Sequence, residues 1–592
     1  MQQKIGPLFD LKKHSSVNFI SEEMQKNRVT ELFHSLKIFS IQNYTLDLIK
    51  EFLAYWGYNF KMDLDLAIGN AEVIHQYFLN ENSDLYKFKP DVLLISLEHD
   101  TLFGEQSSIL SKEDKLKLVS DLLTLITENF DKNIIMTTFF STKFSDLSML
   151  RDLNQTLVQL LEKNFKQIKF VDIEKCFFYV GFSESIDSRF WSTSRSPFST
   201  KLLSILSFEI LKIAKTLKGD IKKCLVLDCD NTLWGGVIGE EGIDGIALSS
   251  ETYPGLYFYN FQKKILKLKE QGILLALNSK NNEEDVFDVL NNHKYCLLSK
   301  SDFVAFQINW DNKAENLNRI AEDLNIGLDS IVFVDDSSYE CELVCTNLPQ
   351  VLVYQIPKKT WKIDEIFEID EPFLKLEFSE EDRNRTSLYL AEQRRNEFRA
   401  KHKHLVDYLN DLNLQIEFGL ATAKDLPRVS QLTLKTNQFN LTTKRMALAE
   451  VEKFHESPAG RIFIGRTSDR FGEQGTTLLA IGKIDSFNCF EFEIFLMSCR
   501  VFERKLEFAF LEHCIDYLVK FDNCESFKAS YMPTRKNRIA SNFFENAGFS
   551  ISNENASEKL YKRRSNESSN NIAMPNLITV LHSDIGGNIA KT

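Results

Sequence analysis

Asp228 and Asp230 stand two residues apart at the end of a short apolar run, Cys224-Leu225-Val226-Leu227, which Lys222-Lys223 leads in and Asn231-Thr232-Leu233-Trp234-Gly235-Gly236 follows. Two carboxylates this close repel unless a cation lies between them, and a hard, oxygen-seeking ion such as Mg²⁺ fits. The chemistry they suit is phosphoryl transfer, in which Asp228 attacks phosphorus and Asp230 trades a proton with the leaving group. Three further groups complete such a site. Ser279, in Asn278-Ser279-Lys280-Asn281, can donate its hydroxyl to a phosphoryl oxygen or serve as an ordinary helix N-cap. Lys313 opens a helix, where its charge opposes the dipole; pairing with anions accounts for it there. Asp335-Asp336 closes the series, and either can complete a metal cage that Asp228 cannot form by itself. The candidate ligands are therefore Asp228, Asp230, Asp335 and Asp336.

These side chains need a scaffold that gathers them. Cys224–Leu227, Ile273–Leu277 and Ser330–Val334 are unbroken apolar runs, which read as buried parallel strands. Helical periodicity over Tyr257–Gln271 and Lys313–Leu324 separates them. Open α/β sheets keep their chemistry at the carboxyl ends of strands, where Asp228, Ser279 and Asp335 all fall. Trp234–Gly242 holds four glycines and reads as a tight turn packed close to the site. Upstream, from Leu36 to about Thr216, apolar runs at Ile38–Ile41, Asp91–Ile95, Asn133–Met136 and Phe170–Ile173 alternate with helix-length segments, the pattern of a second parallel sheet. Downstream, strands over Leu414–Phe418, Arg461–Gly465, Thr477–Lys483 and Cys489–Met497 and a helix over Leu506–Lys520 make an α+β pattern. The fold class is α/β multidomain.

Composition narrows the function. At 592 residues the chain exceeds one core and divides into about three or four domains. A net charge of −13 with no long basic block excludes a general nucleic-acid binder. No stretch approaches the length of a membrane span and no signal peptide is evident, so neither membrane nor export is expected. The 10 cysteines lack C-x-x-C spacing, which suits reduced thiols in the cytoplasm.

The ordered set D-x-D-x-T, Ser, Lys and DD resembles the haloacid-dehalogenase (HAD) superfamily. Lys223–Asp228, Asn231–Gly239 and Phe333–Asp336 resemble more narrowly its FkbH family. That resemblance implies three domains: an SGNH-hydrolase-like domain over 1–218, a HAD catalytic domain over 219–375 and a GNAT-like acyltransferase domain over 376–555, with a polar, disordered tail over 556–592. It also implies a Mg²⁺-dependent enzyme that dephosphorylates an acyl phosphate, 1,3-bisphosphoglycerate, and loads the glyceryl group onto the phosphopantetheine thiol of an acyl carrier protein in a biosynthetic pathway. The chain departs from the family at Cys229, usually Leu, and at Ser337-Ser338, usually Asn-Pro. In the first domain, Ile41-Gln42-Asn43 replaces the nucleophile turn of SGNH hydrolases, and Asp187-Ser188-Arg189-Phe190 lacks their histidine, so a non-hydrolytic scaffold is expected. Asp187, Arg189 and Arg195 there line an anion pocket or form surface ion pairs. In the third domain, Lys435–Thr442, Asp469–Gly472, Ser498–Val501 and Pro533–Asn537 fit the GNAT order, but Arg500–Leu506 carries none of the glycines of a pyrophosphate loop. Arg500, Arg504 and Lys505 would serve the single phosphate of a carrier arm. Cys499, beside Arg500, is the favoured acyl acceptor; Cys229, expected to point away from the Asp228 face, and the carrier thiol acting directly remain alternatives. A simple HAD phosphatase and a non-catalytic docking scaffold are the rival readings.

Overall fold

The computed structural model describes residues 10–26, 34–104, 109–142, 147–219, 221–376, 385–402, 404–436, 438–534, 536–555, 557–565 and 578–582, and every structural statement below concerns these. The chain separates into two compact units: residues 1–221 with 365–376, and residues 222–364 with 377–592. Residues 365–375, read from sequence as the end of the middle domain, and 376, read as the start of the next, thus belong with the N-terminal unit. Lys212 holds them there, its ammonium lying 2.6 Å from Glu371 and 2.8 Å from Glu209.

The N-terminal unit is built on β1 (His34–Gln42), β2 (Met62–Asn70), β3 (Val92–Ser96), β4 (Asn133–Thr137) and β5 (Ile168–Val171), in the order β2-β1-β3-β4-β5 with every pairing parallel. β2 escaped the sequence reading because Met62-Asp63-Leu64-Asp65 alternates as a half-solvated edge strand does, rather than running apolar. After β1, the Asn43 side chain ties the loop to β3's exit, donating to the Glu98 carbonyl (2.8 Å) and accepting from the Glu98 N–H (2.7 Å). Asp187 caps a short helix and pairs with exposed Arg189, while Arg195 lies over the Trp191 ring. That is the surface ion pair, not an anion pocket.

The second unit carries two sheets. The first comprises β6 (Cys224–Leu227), β7 (Leu274–Ser279), β8 (Phe303–Ile308), β9 (Ile331–Asp335) and β10 (Leu352–Gln355), ordered β10-β9-β6-β7-β8 and wholly parallel. β6, β7 and β9 are buried at every residue, which is why their sequences run apolar without alternation. Helices Gly255–Glu270 and Lys313–Asp323 lie near the expected ranges.

The other sheet has eight strands: β11 (Leu414–Leu420), β12 (Gly460–Asp469), β13 (Gly472–Ile484), β14 (Cys489–Met497), β15 (Ser526–Tyr531), β16 (Ser550–Glu554), β17 (Lys559–Arg564) and β18 (Ile578–His582), in the order β16-β17-β15-β14-β13-β12-β11-β18. It is mixed, with β14–β15 and β11–β18 parallel. β17 and β18 correct the expectation of a disordered tail. Lys559–Arg564 is polar, but its alternate residues Tyr561 and Arg563 are buried, with Arg563 bonded to Glu512. Polar composition concealed a one-faced strand. β14 and β15 pair only over Cys489–Phe492 and Ser526–Ala529 and then part. The gap is filled by the chain's own Phe439–Leu441: the Leu441 N–H donates to the Phe495 carbonyl (3.2 Å), the Met497 N–H to Phe439 (3.0 Å) and the Met532 N–H to Leu441 (2.8 Å).

Candidate active site

Asp228 is the first residue past β6 and is almost fully buried. Its neighbours on both sides are set by the topology, since β7 and β9 flank β6 and deliver Ser279 and Asp335 to the same edge. Lys313 closes the group from the start of its helix, where Asn312 caps the first turn by accepting from the Ala314 N–H at 2.8 Å. The Lys313 ammonium lies 2.8 Å from Asp228 Oδ1 and 2.6 Å from Asp335 Oδ2. All three groups are buried, so breaking this contact by removing one partner would leave uncompensated charge. The two carboxylates hold the lysine strongly protonated despite its burial. Burial and Asp228 push Asp335 up to about 7, with Lys313 pulling against them. Asp336 is raised by the same causes.

Asp228, Asp335 and Asp336 offer carboxylate oxygens within 4.8 Å of one another. One ammonium cannot balance three such groups. A hard divalent cation bound by oxygen ligands can, so the donor set fits Mg²⁺.

Asp230 corrects the expected ligand set. Its Oδ1 accepts from Trp234 Nε1 (2.9 Å) and the Ile238 N–H (3.1 Å), and its Oδ2 from Asn281 Nδ2 (3.1 Å), so both oxygens are engaged and the residue stands beside, not within, the three-carboxylate group. The turn that does this is built by Asn231, at φ 51°, and Gly236, at φ 95°. The positive φ of Gly236 strains any residue with a Cβ, and a Cβ on Gly235 would sit 2.8 Å from the Phe258 ring. Burial raises the Asp230 carboxyl, the direction useful to a group that must carry a proton.

Ser279 is buried, and its oxygen accepts from Asn281 Nδ2 at 3.1 Å. Asn281 therefore joins Ser279 to Asp230. Asn278 donates to the Lys313 carbonyl (2.9 Å) and accepts from Asn316 (3.2 Å), fixing the lysine's helix to β7. Sequence reasoning passed over Asn278, Asn281 and Asn316, although the first two lie within two residues of Ser279. The Thr232 hydroxyl is buried beside the site without a hydrogen-bond partner among the described residues.

Cys229 does not point away as expected. It lies beyond the last residue of β6, where strand alternation no longer applies, and its buried thiol feels the charges of Asp228, Asp230 and Lys313. Complete burial and the charges of Asp228 and Asp230 push that thiol far up, which makes it a poor nucleophile. The Cys499 side chain lies outside the described residues. Arg504 is a further correction: it is buried, bonded to Gln474 Oε1 (3.1 Å) and the Arg500 carbonyl (2.8 Å), and 3.6 Å from Asp469. Asp469 carries a bidentate contact from Arg395 as well, at 2.6 and 2.9 Å. Inward pairing in this network takes Arg504 from any carrier phosphate. Arg500 is half-buried and Lys505 exposed, the latter at φ 61° before helix Leu506–Asp522.

A parallel sheet whose central strand ends in Asp228, with Lys313 and the Asp335-Asp336 pair closing on it, makes a buried carboxylate cluster with the donor set for one divalent cation. Residues 223–384 match the family of NLI interacting factor-like phosphatases. Among solved structures, the N-terminal part of the protein BF1531 from Bacteroides fragilis, containing a phosphatase domain complexed with Mg, is 25% identical over 63% of this chain and 100% of that one, with a TM-score of 0.54. A mutant form of spermidine N-acetyltransferase SpeG from Vibrio cholerae is 15% identical over 26% of this chain and 94% of that one. The ribosomal-protein-S18-alanine N-acetyltransferase from Escherichia coli is 12% identical over 27% and 99%. Both of these have a TM-score of 0.21. No curated protein matches the sequence significantly. No helix among the described residues is long and apolar enough to cross a membrane.

Proposed function

We propose that the chain is a cytoplasmic FkbH-like enzyme that converts a phosphorylated three-carbon acyl phosphate, 1,3-bisphosphoglycerate, into a glyceryl thioester on an acyl carrier protein. The observation that carries the phosphatase half is the Lys313 ammonium shared between Asp228 and Asp335, a buried clamp that aims one carboxylate and leaves Asp336 beside it. Asp228 attacks phosphorus, the phosphorus–oxygen bond breaks, and Asp230 gives its proton to the departing alkoxide. Water, deprotonated by Asp230, then releases phosphate from Asp228. Ser279 and Lys313 hold the phosphoryl oxygens, and Mg²⁺, when bound by Asp228, Asp335 and Asp336, supplies the remaining positive charge.

Bond accounting divides the substrate's two phosphates. Attack by Asp228 on the acyl phosphate would release a free carboxylate and discard the activation a thioester needs. The thiol must instead attack the carbonyl carbon and expel that phosphate, leaving the phosphomonoester to Asp228. The inert setting of Cys229 favours the carrier thiol or Cys499 as acceptor.

Intact-mass measurement of a carrier protein incubated with enzyme and 1,3-bisphosphoglycerate tests this. A glyceryl adduct is expected with wild type, and a phosphoglyceryl adduct with Asp228→Asn. Free phosphate with an unmodified carrier instead supports a simple phosphatase. The third domain's filled gap between β14 and β15 and the inward-paired Arg504 favour that second reading.

A further inference from the structure

Asn281 lies two residues beyond Ser279, in the loop between the end of β7 and the helix Glu283–Asn292, and is buried. Its amide nitrogen carries two hydrogens and makes two contacts, one to Asp230 Oδ2 and one to Ser279 Oγ, each at 3.1 Å. Turned over, the amide would set its carbonyl oxygen against the Asp230 carboxylate, so only this orientation is stable. The Ser279 contact pins the amide to the strand that supplies the phosphate-binding hydroxyl. The Asp230 contact carries that position across to the chain leaving β6, the strand paired with β7.

A carboxylate oxygen has about two acceptor sites. Those of Asp230 Oδ1 are both taken, by Trp234 Nε1 and the Ile238 N–H. Among the described residues Oδ2 accepts from Asn281 alone, which leaves a site on this oxygen open. A proton given to a leaving group must therefore travel through Oδ2, and Asn281 is the side chain that sets where the open site faces.

We propose that Asn281 is a positioning residue for acid catalysis, aiming Asp230 Oδ2 at the ester oxygen of the phosphate that Ser279 holds. This rests on the phosphomonoester reading of the site. As Asp228 attacks and the phosphorus–oxygen bond breaks, its electron pair goes to the ester oxygen, and the proton on Oδ2 passes to the same atom. Without the amide, Asp230 pivots about its Oδ1 bonds and the proton loses its aim, while attack by Asp228 is untouched. The penalty then depends on how badly the leaving oxygen needs a proton.

The test compares p-nitrophenyl phosphate, whose leaving phenolate is stable unprotonated, with benzyl phosphate, whose leaving alkoxide is not. Both are single-ring monoesters, assayed at saturating Mg²⁺ and at a temperature where thermal melts show every variant folded. The ratio kcat/KM covers steps only through phosphoryl transfer, so the later attack of water does not enter. Asn281→Ala should lower kcat/KM about fiftyfold for benzyl phosphate and less than about fivefold for p-nitrophenyl phosphate. Asn281→Leu, which refills the volume without a donor, should show the same split. Equal losses on the two esters overturn the proposal and leave Asn281 a structural part. Recovery of benzyl phosphate turnover in Asn281→Leu overturns it too, since packing alone would then suffice. Wild type that cleaves the p-nitrophenyl ester but not the benzyl ester gives the leaving oxygen no proton, which is equally fatal. Wild type that cleaves neither shows that the phosphomonoester reading itself is wrong, and the proposal falls with it.

Discussion

At the carboxyl ends of β6, β7 and β9 the chain gathers unbalanced charge: one ammonium touches two of three grouped carboxylates, and Thr232 and Glu340 keep unsatisfied oxygens. Between β14 and β15 it does the reverse. There the parted strands find backbone partners in Phe439–Leu441, and buried Asn537 seals the filling by donating to the Asn440 and Met532 carbonyls, each at 2.9 Å. Both are places where strand pairing stops, at strand ends in the one and between parted strands in the other, and polar groups would otherwise face solvent. One is left poised for a ligand, and the other is satisfied by the chain itself. The difference teaches that a resemblance of fold says little about activity until the polar groups at the break are accounted for.

Removing charge from the first break should have the largest effect. Asp228→Asn should abolish phosphate release, by about a thousandfold or more, because an amide cannot form the phosphorylated intermediate. Residual turnover near wild type would mean that the cluster is not the reaction centre. Lys313→Met removes the one cation from three carboxylates. Roughly a hundredfold loss of kcat is expected, together with a melting temperature that depends far more steeply on Mg²⁺ than in wild type.

The same cluster predicts a pH dependence that the filled gap cannot show. Burial and Asp228 hold the Asp335 carboxyl at about 7, against 3.8 for the free side chain. A carboxyl so raised binds its proton more tightly folded than unfolded. Metal-free protein should therefore lose stability as the pH climbs from about 4 to about 7, by a few kcal/mol at most, and lose no more from this group above that. Thermal melts in EDTA at pH 5 and pH 8 measure the loss. Mg²⁺ should restore stability at pH 8, and Asp335→Asn should flatten the slope. Equal melts in wild type and variant would remove Asp335 from the coupling.

At the filled gap the ordering of effects inverts. Asn537→Ala deprives the Asn440 and Met532 carbonyls of their donor and two groups of Thr534 of their acceptor. Stability should fall by about 2–4 kcal/mol, read from the urea midpoint, while kcat/KM for phosphate release stays within twofold. A change in phosphate release as large as that of a cluster variant would show the two regions to be one working unit.

What the sequence revealed follows the same division. Unbroken apolar runs ending in Asp228, Ser279 and Asp335 announce buried parallel strands and, with Lys313, the side chains they deliver, because burial on both faces leaves no other pattern. Asp230 was misassigned since its orientation depends on a turn set by Asn231 and Gly236, and a two-residue spacing cannot encode that. The contact of Glu340 with Lys280 was invisible: it forms only after the helix Ser338–Asn347 behind β9 has been placed. β17 was read as tail because a one-faced strand in a polar composition lacks an apolar signature, and β18 because its apolar run is too short to interpret from sequence. The filling of the β14–β15 gap is a backbone event and leaves no trace in residue type.

Cys229 offers the smallest effect and the sharpest contrast. It stands amid the charged cluster, yet its thiol is held protonated by burial and by the negative charge of Asp228 and Asp230. A nucleophile needs the opposite setting, with exposure and nearby positive charge. Cys229→Ala should thus change phosphate release less than threefold, the cost of a small void beside Ser279. In wild type, iodoacetamide followed by peptide mass mapping should leave Cys229 unlabelled in the folded protein and label it in urea. Labelling in the folded state, with loss of the carrier adduct in Cys229→Ala, would make this thiol the acyl acceptor. It would also show that the crevice changes shape enough to bring Lys313, the nearest cation, to bear on sulfur.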